Sequence, residues 1–390
     1  MALLQNSRLW ARLAFALILT LASLRAYRYP EYSTDGFSYM ANAVAMSGAS
    51  VQVIHDAVYR DAKAGIPETI FKHLTGDDPA EPLSERRSFR ERAMDPYRFA
   101  EFLPCFAIRP VFNLLVYVLH FKLGVGLLRS IVILPVVSYW LMGWVAWIWM
   151  ERYVGSAWAS LLCASLLLLS PPVWELARST TPDALSSLTV LLALFLLLEK
   201  RVMVPGMILL VASIYVRTDN ALLVLIVLAF LYAAGFGLRM FEAGVLAALA
   251  VASVFIINHF AGDYGAKVLY YRSFVEAPVA VGEIVPKFGI AEYLTALKAC
   301  LSAVLHGMYI PFLLMGVVGV MRRAPVAILG VATATTIYTG AHLVIFPNPE
   351  TRFFGPFFVA MGLALMSTLV RGRSIPASEF ELAGCGKIGL

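Results

Sequence analysis

Charge is scarce in this chain. Only 14% of its 390 residues are Asp, Glu, Lys or Arg and 60% are apolar, with a mean hydropathy of +0.77, against about 25% charged and roughly 45–50% apolar in soluble domains. That excludes a soluble globular protein and points to an integral membrane protein. Cysteine is scarcer still: Cys105, Cys163, Cys300 and Cys385 are scattered, with no CxxC and no ligand spacing, which indicates neither a disulfide framework nor a thiolate metal site. Strict apolar–polar alternation is missing, which argues against a membrane β-barrel. A GxGxxG or similar glycine-rich loop is missing too, which argues against a nucleotide-binding site of that kind. There is no internal repeat and no low-complexity tract. The formal charge of +6 does not signal nucleic acid, because Lys and Arg gather in short clusters at the ends of apolar runs, where the positive-inside bias places them.

What the chain does have is apolar runs, from residue 9 to residue 370. Each is a candidate crossing of about 30 Å of hydrocarbon. After a first span ending at residue 28 they fall at about 110–121, 129–150, 155–170, 184–198, 203–216, 221–236, 243–259, 299–321, 324–345 and 353–370, which gives ten or eleven. The expected fold is all-α: a polytopic transmembrane helical bundle with a long first extracytoplasmic loop carrying amphipathic juxtamembrane helices. Its expected parts are a first helix over 1–28, the loop over 29–108, the bundle over 109–373 and a cytoplasmic tail over 374–390. Basic clusters at Lys200-Arg201, Arg239, Arg322-Arg323 and Arg371-Gly372-Arg373 mark the cytoplasmic side. This places 171–183, 217–220, 260–295 and 346–352 outside. The assignment conflicts with itself at one place: three full crossings between 110 and 170 would put Asp35 and Asp183 on opposite sides. The short run 110–121 is therefore read either as a half-crossing or re-entrant helix, or as a sign that 129–150 and its neighbours divide differently.

The loop over 29–108 is the polar region, with ten of the chain's 25 carboxylates between His55 and Glu101. Two stretches in it, Gly36 to Gly48 and Glu85 to Phe102, have helical spacing, as of two helices lying along the membrane surface. At its start stands Tyr29-Pro30-Glu31-Tyr32-Ser33-Thr34-Asp35-Gly36-Phe37-Ser38-Tyr39. A carboxylate at the mouth of a membrane helix is costly unless something uses it. Asp35 could take a proton from an attacking hydroxyl, or could simply cap the helix that follows.

Other polar residues on the outer side admit two readings each. Arg109, opening an apolar helix, suits a lipid phosphate through its planar fork or snorkels at the interface. Arg178 and Asp183 flank Thr180-Thr181-Pro182, where a helix start explains Asp183 well and Arg178 poorly. Arg217 and Asp219 lie in a four-residue polar knot, either closing a hairpin or facing a cavity where Arg217 steadies a phosphate leaving group. Tyr271, among Asp263, Tyr264, Lys267, Tyr270, Arg272 and Glu276, suits stacking on a sugar or an interfacial belt. Arg352 precedes Phe353-Phe354-Gly355-Pro356, with Glu350 as a potential partner.

The order of these features resembles the GT-C superfamily of polytopic membrane glycosyltransferases, both its protein or lipid mannosyltransferase-like and its aminoarabinose-transferase-like members. The resemblance rests on Asp35 after one span, the amphipathic stretch that follows it, Arg109-Pro110, Arg178 to Ala184 after Ser170-Pro171-Pro172, and Asn348 to Pro356. It implies a sugar donor on a polyprenyl phosphate, and a lipid, glycan or protein acceptor. Asp35 would be the catalytic base or a metal-site carboxylate, with transfer by inversion. Arg352 would steady the departing phosphate, helped by Arg109, Arg178 or Arg217. Two departures stand out: the family often has a second acid beside the first, where this chain has Gly36, and the first loop is unusually long. A divalent cation, Mg or Mn, is compatible with this chemistry but no ligand spacing fixes one. The expected location is the plasma (inner) membrane, with the site on its extracytoplasmic side, membrane lipids around it and no nucleic-acid partner. The alternative reading is a transporter or flippase of lipid-linked glycans or small solutes, which would show matched broken helices in two halves.

Overall fold

The computed structural model describes residues 2–80, 83–263, 273 and 289–369. Tyr271, the rest of the segment from Tyr264 to Glu276 apart from Ser273, and the tail 374–390 lie outside the described residues. The described residues form an all-α bundle with no strand among them; one isolated bridge joins Glu31 to Ser179. Among the described residues five helices are long and apolar enough to cross a membrane, or up to eight if each of three bent pairs is one span. This is the architecture of a multi-pass membrane protein.

Helix α1 (Ala2–Arg28) shows why. Ala11, Phe15, Leu19, Ala22 and Ala26 form a buried stripe, while Leu9, Leu13, Leu17, Leu21 and Leu24 form an exposed one. A helix apolar on both faces suits lipid outside and protein inside. Phe15 stacks on Trp147 at 4.6 Å, so the inner stripe lies against the long helix α9 (Leu127–Tyr153).

Between α1 and α9 the chain forms α2 (Thr34–Ala45), α3 (Val51–Gly65), α4 (Glu68–Leu74), α5 (Leu83–Met94), α6 (Pro96–Ala100), α7 (Pro104–Ala107) and α8 (Pro110–Tyr117). The loop thus holds six short helices where the sequence suggested two. The stretch 85–102 breaks at Asp95-Pro96, where Asp95 caps α6 by accepting from the backbone N–H of Tyr97 and Arg98. These helices have a core of their own, including Phe37, Met40, Val58 and Phe99, and it continues into Phe112, Val116, Leu128 and Ile131. Packing therefore runs across residue 109.

The remaining helices are α10 (Ala157–Leu168), α11 (Pro171–Arg178), α12 (Asp183–Leu194) with a π turn to Glu199, α13 (Met203–Val216), α14 (Asn220–Ala233), α15 (Met240–Phe260), α16 (Ile290–His306), α17 (Tyr309–Met321), α18 (Val326–Ile345) and α19 (Gly355–Leu369). A 3-10 turn, Thr351–Phe354, leads into the last. Three helix pairs are sharply bent: Pro96–Ala107 with Pro110–Lys122 at 117°, α10 with α11 at 67°, and α16 with α17 at 60°, the last dividing the run 299–321.

The first bend resolves the conflict over sides. At one end of the bundle Arg12 pairs with Glu151 at 3.0 Å, and Glu199 accepts from Trp149 at 3.0 Å and Tyr153 at 2.5 Å and pairs with Arg152 at 2.6 Å. The start of α1, the end of α9 and the end of the α12 segment therefore share that end. At the opposite end, the backbone N–H of Leu128 donates to Asp61 at 2.7 Å, and Glu31 N–H donates to the Arg178 carbonyl at 2.8 Å. Helix α8 folds back at the Asp35 end instead of traversing. Only α9 and α10–α11 pass between Asp35 and Asp183, so both carboxylates lie at the same end.

Candidate active site

Asp35, Asp183, Arg217, Asp219 and Arg352 each sit at or beside a helix end, where the apolar bundle leaves room for charge. Ser33 caps α2, its hydroxyl accepting from Gly36 N–H at 3.4 Å, so Asp35 is not the cap and its carboxylate is left for other work. Asp183 begins α12 after Pro182. Arg217 and Asp219 form the tight turn from α13 into α14. Arg352 lies in the 3-10 turn before α19.

These residues form one chain of charge. Arg352 Nη2 donates to Asp35 Oδ2 at 3.2 Å; its Nε lies 2.5 Å from Glu350 Oε2 and 3.8 Å from Asp183 Oδ2. Asp183 also pairs with Arg217 Nη1 and accepts from the Thr181 hydroxyl at 2.5 Å. Arg217 grips Asp219 with a two-pronged fork, Nε at 3.0 Å and Nη2 at 2.8 Å. Asp219 Oδ2 then accepts from Tyr338 at 3.1 Å and lies 3.2 Å from His342 Nε2. Burial alone would raise the Asp219 carboxyl; the Arg217 guanidinium and the His342 contact outweigh it and hold it well below the ordinary carboxylate range. The ring of Phe353 lies 4.5 Å from the Arg217 guanidinium carbon and 5.2 Å from that of Arg352, within cation–π range of both.

Exposure separates the carboxylates by role. The Asp183 side chain is 2% exposed and that of Asp35 is 30% exposed. Asp219 has four donors on it, whereas Asp35 Oδ1 accepts no hydrogen bond from the described residues. Asp35 is the group with a free, solvent-reachable oxygen.

Tyr39, one turn after Asp35, stands among the charges. Burial pushes its hydroxyl up to about 12; Arg109 opposes the rise and Asp35 adds to it. The Arg109 guanidinium lies 6.0 Å from the Tyr39 ring centroid and donates through Nη1 to the Cys105 carbonyl at 3.0 Å. Its Nε is buried without a hydrogen-bond partner, and Arg109 forms no ion pair among the described residues. Arg178 is not drawn in: its Nε donates to the Tyr29 carbonyl at 3.1 Å.

The position beside Asp35 has a steric reason to be glycine. A Cβ on Gly36 would lie 2.9 Å from Thr180 Oγ1 and 3.1 Å from Ile131 Cδ1. Thr180, in the loop before Asp183, packs into that space. A divalent cation does not fit this donor set. Among the described residues no three His, Cys, Asp or Glu side chains converge on a metal-sized position, and the Arg352 guanidinium stands between Asp35 and Asp183.

Sequence reasoning missed Tyr338 and His342. They lie four residues apart inside the apolar run of α18 and share one face. The available signal was an ionisable side chain within an apolar span. The chain matches no protein-family model, no curated protein and no solved structure.

Proposed function

We propose that the protein is a GT-C-type glycosyltransferase that moves a sugar from a polyprenyl-phosphate donor to a lipid, glycan or protein acceptor. The observation that carries this reading is the convergence of Asp35, Asp183, Arg217, Asp219 and Arg352, from four separate segments, at one end of an apolar bundle. A donor with its tail in lipid presents its anomeric carbon at such an end. Asp35 Oδ1 takes the proton of the acceptor hydroxyl while that oxygen bonds to the anomeric carbon. The bond from that carbon to the phosphate oxygen breaks, the electron pair leaves with the polyprenyl phosphate, and the configuration inverts.

The phosphate has a better receptor than Arg352. Arg352 faces three carboxylates and Arg217 faces two, so neither has charge to spare for an anion. Arg109 faces none, and a planar guanidinium suits a phosphate bidentately. Its guanidinium lies 6.0 Å from the ring of Tyr39, whose hydroxyl feels the charges of both Arg109 and Asp35. We assign Arg109 the phosphate and Arg352 the orientation of Asp35. Arg12, Lys200, Arg201, Arg239, Arg322 and Arg323 belong to the opposite end, where Arg201 lies 5.5 Å from the Phe236 ring. The positive-inside bias makes that end cytoplasmic and the site extracytoplasmic, in the plasma (inner) membrane.

The test is transfer of radiolabelled sugar from a panel of polyprenyl-phosphate sugars to membrane lipid and protein by the purified, reconstituted chain. Label is expected to move from at least one donor. Arg109→Gln is expected to raise the donor KM about tenfold or more, since a charge-assisted hydrogen bond contributes about 1.5–3 kcal/mol. An unchanged KM would return the phosphate to Arg352. A carrier is the second reading, favoured by the bent pairs α10–α11 and α16–α17, one in each half of the chain; flux of donor across vesicles without any transfer of label would support it.

A further inference from the structure

The transfer chemistry as drawn does not use His342, and a titratable side chain within an apolar span needs a reason to be there. We infer that His342 is a positioning residue: acting through Asp219 and Arg217, it keeps Arg352 on Asp35. This rests on the reading of Asp35 as the base.

The geometry leaves His342 one polar route into the protein. Its Nε2 lies 3.2 Å from Asp219 Oδ2, and Nδ1 is buried with no partner among the described residues. The other faces of the ring meet aromatic side chains: Phe354 with ring centroids 5.1 Å apart, Tyr338 at 5.7 Å and Phe346 at 6.1 Å. The single tie therefore ends on the carboxylate that holds the Arg217 fork. Tyr338, one turn earlier on α18, donates to the same oxygen, so one helix face fixes Asp219 from two points.

The consequence passes along the chain of charge. With Asp219 fixed, the Nε and Nη2 edge of Arg217 is occupied and Nη1 is directed at Asp183. Asp183 is then largely neutralised. Were Arg217 to turn away, the buried Asp183 carboxylate would compete for Arg352, which Asp183, Asp35 and Glu350 already share. Arg352 would move off Asp35, and the base would lose its orientation. Binding of the lipid phosphate, assigned to Arg109, would be untouched.

The experiment is steady-state transfer by the full reconstituted chain, comparing His342→Leu, His342→Gln, Asp219→Asn and the double variant His342→Leu with Asp219→Asn. His342→Leu is expected to lower kcat by roughly 10- to 100-fold, the scale of a small misplacement of a catalytic group, with donor KM within about twofold. His342→Gln, whose amide N–H can reach the same carboxylate, is expected to recover most of that loss. Adding His342→Leu to Asp219→Asn is expected to cost little more than Asp219→Asn alone, because both changes cut the same route. His342→Gln as slow as His342→Leu, losses that multiply in the double variant, or a wild-type kcat in His342→Leu would each overturn the inference. Should His342→Leu fail to fold, His342→Phe, which keeps an aromatic ring among the neighbouring rings and removes the tie to Asp219, carries the test: a lower kcat at unchanged KM is expected, and an unchanged kcat overturns it. Asp35→Asn, run alongside, separates the two levels. If that variant keeps the wild-type rate, the base assignment falls and the inference with it; if it loses transfer while His342→Gln does no better than His342→Leu, only the inference falls.

Discussion

Asp183 and Asp35 share a guanidinium but differ in what their removal would do. Asp183 is closed from solvent and compensates both Arg217 and Arg352. Taking away one partner of a buried ion pair leaves an uncompensated charge, at about 3–5 kcal/mol. Asp183→Asn is therefore expected to lower the thermal unfolding midpoint in detergent clearly. Asp35→Asn, at a solvent-reachable position with one arginine contact, is expected to leave that midpoint close to wild type. Equal destabilisation by the two would contradict the division into a structural and a reactive carboxylate. Gly36 belongs to the same pattern, since the absence of a side chain there lets Thr180 approach and brings Asp183 to the site.

The helices matter through their ends and their spacing. Gly319 on α17 faces α19 so closely that a Cβ would lie 2.7 Å from the backbone of Ala364. Small residues permit such backbone approach between membrane helices. Gly319→Ala must push α17 and α19 apart, and α19 carries Arg352 just ahead of its first turn. Overpacking of this kind costs about 1–3 kcal/mol, so a lower unfolding midpoint together with slower transfer is expected; a wild-type midpoint would show that the helices slide apart freely.

Much at this scale could be read from the chain itself. Apolar runs located the helices, and the polar knots between them located Asp183, Arg217, Asp219 and Arg352, because charge gathers where spans end. The bend at Ser170-Pro171-Pro172 carried a proline signal. The bend at Gly307-Met308 did not stand out, since apolar residues dominate both sides of it and the run 299–321 reads as one span. Tyr338 and His342 were passed over because the run around them was read only as a span, although an ionisable side chain there was a signal. The six helices of the first loop were under-read because each is short and its core closes only against α8 and α9.

At the scale of the whole molecule the bundle has two chemically different ends. One gathers Arg12, Glu151, Arg152 and Glu199 in closed pairs; the other gathers the chain of charge that ends on Asp35. The reversal at α8 is what brings Asp35 and Asp183 to the same end, and without it Arg352 could not bridge them. The most direct test of the central claim is transfer of sugar from a polyprenyl-phosphate donor by the reconstituted chain, comparing wild type with a folded Asp35→Asn. Transfer by the wild type with inverted anomeric configuration, and a loss of about 100-fold or more in the variant, the scale of general-base catalysis, is the expected result. Equal transfer by the two forms would contradict it, leaving Asp35 as a charge that only steadies Arg352.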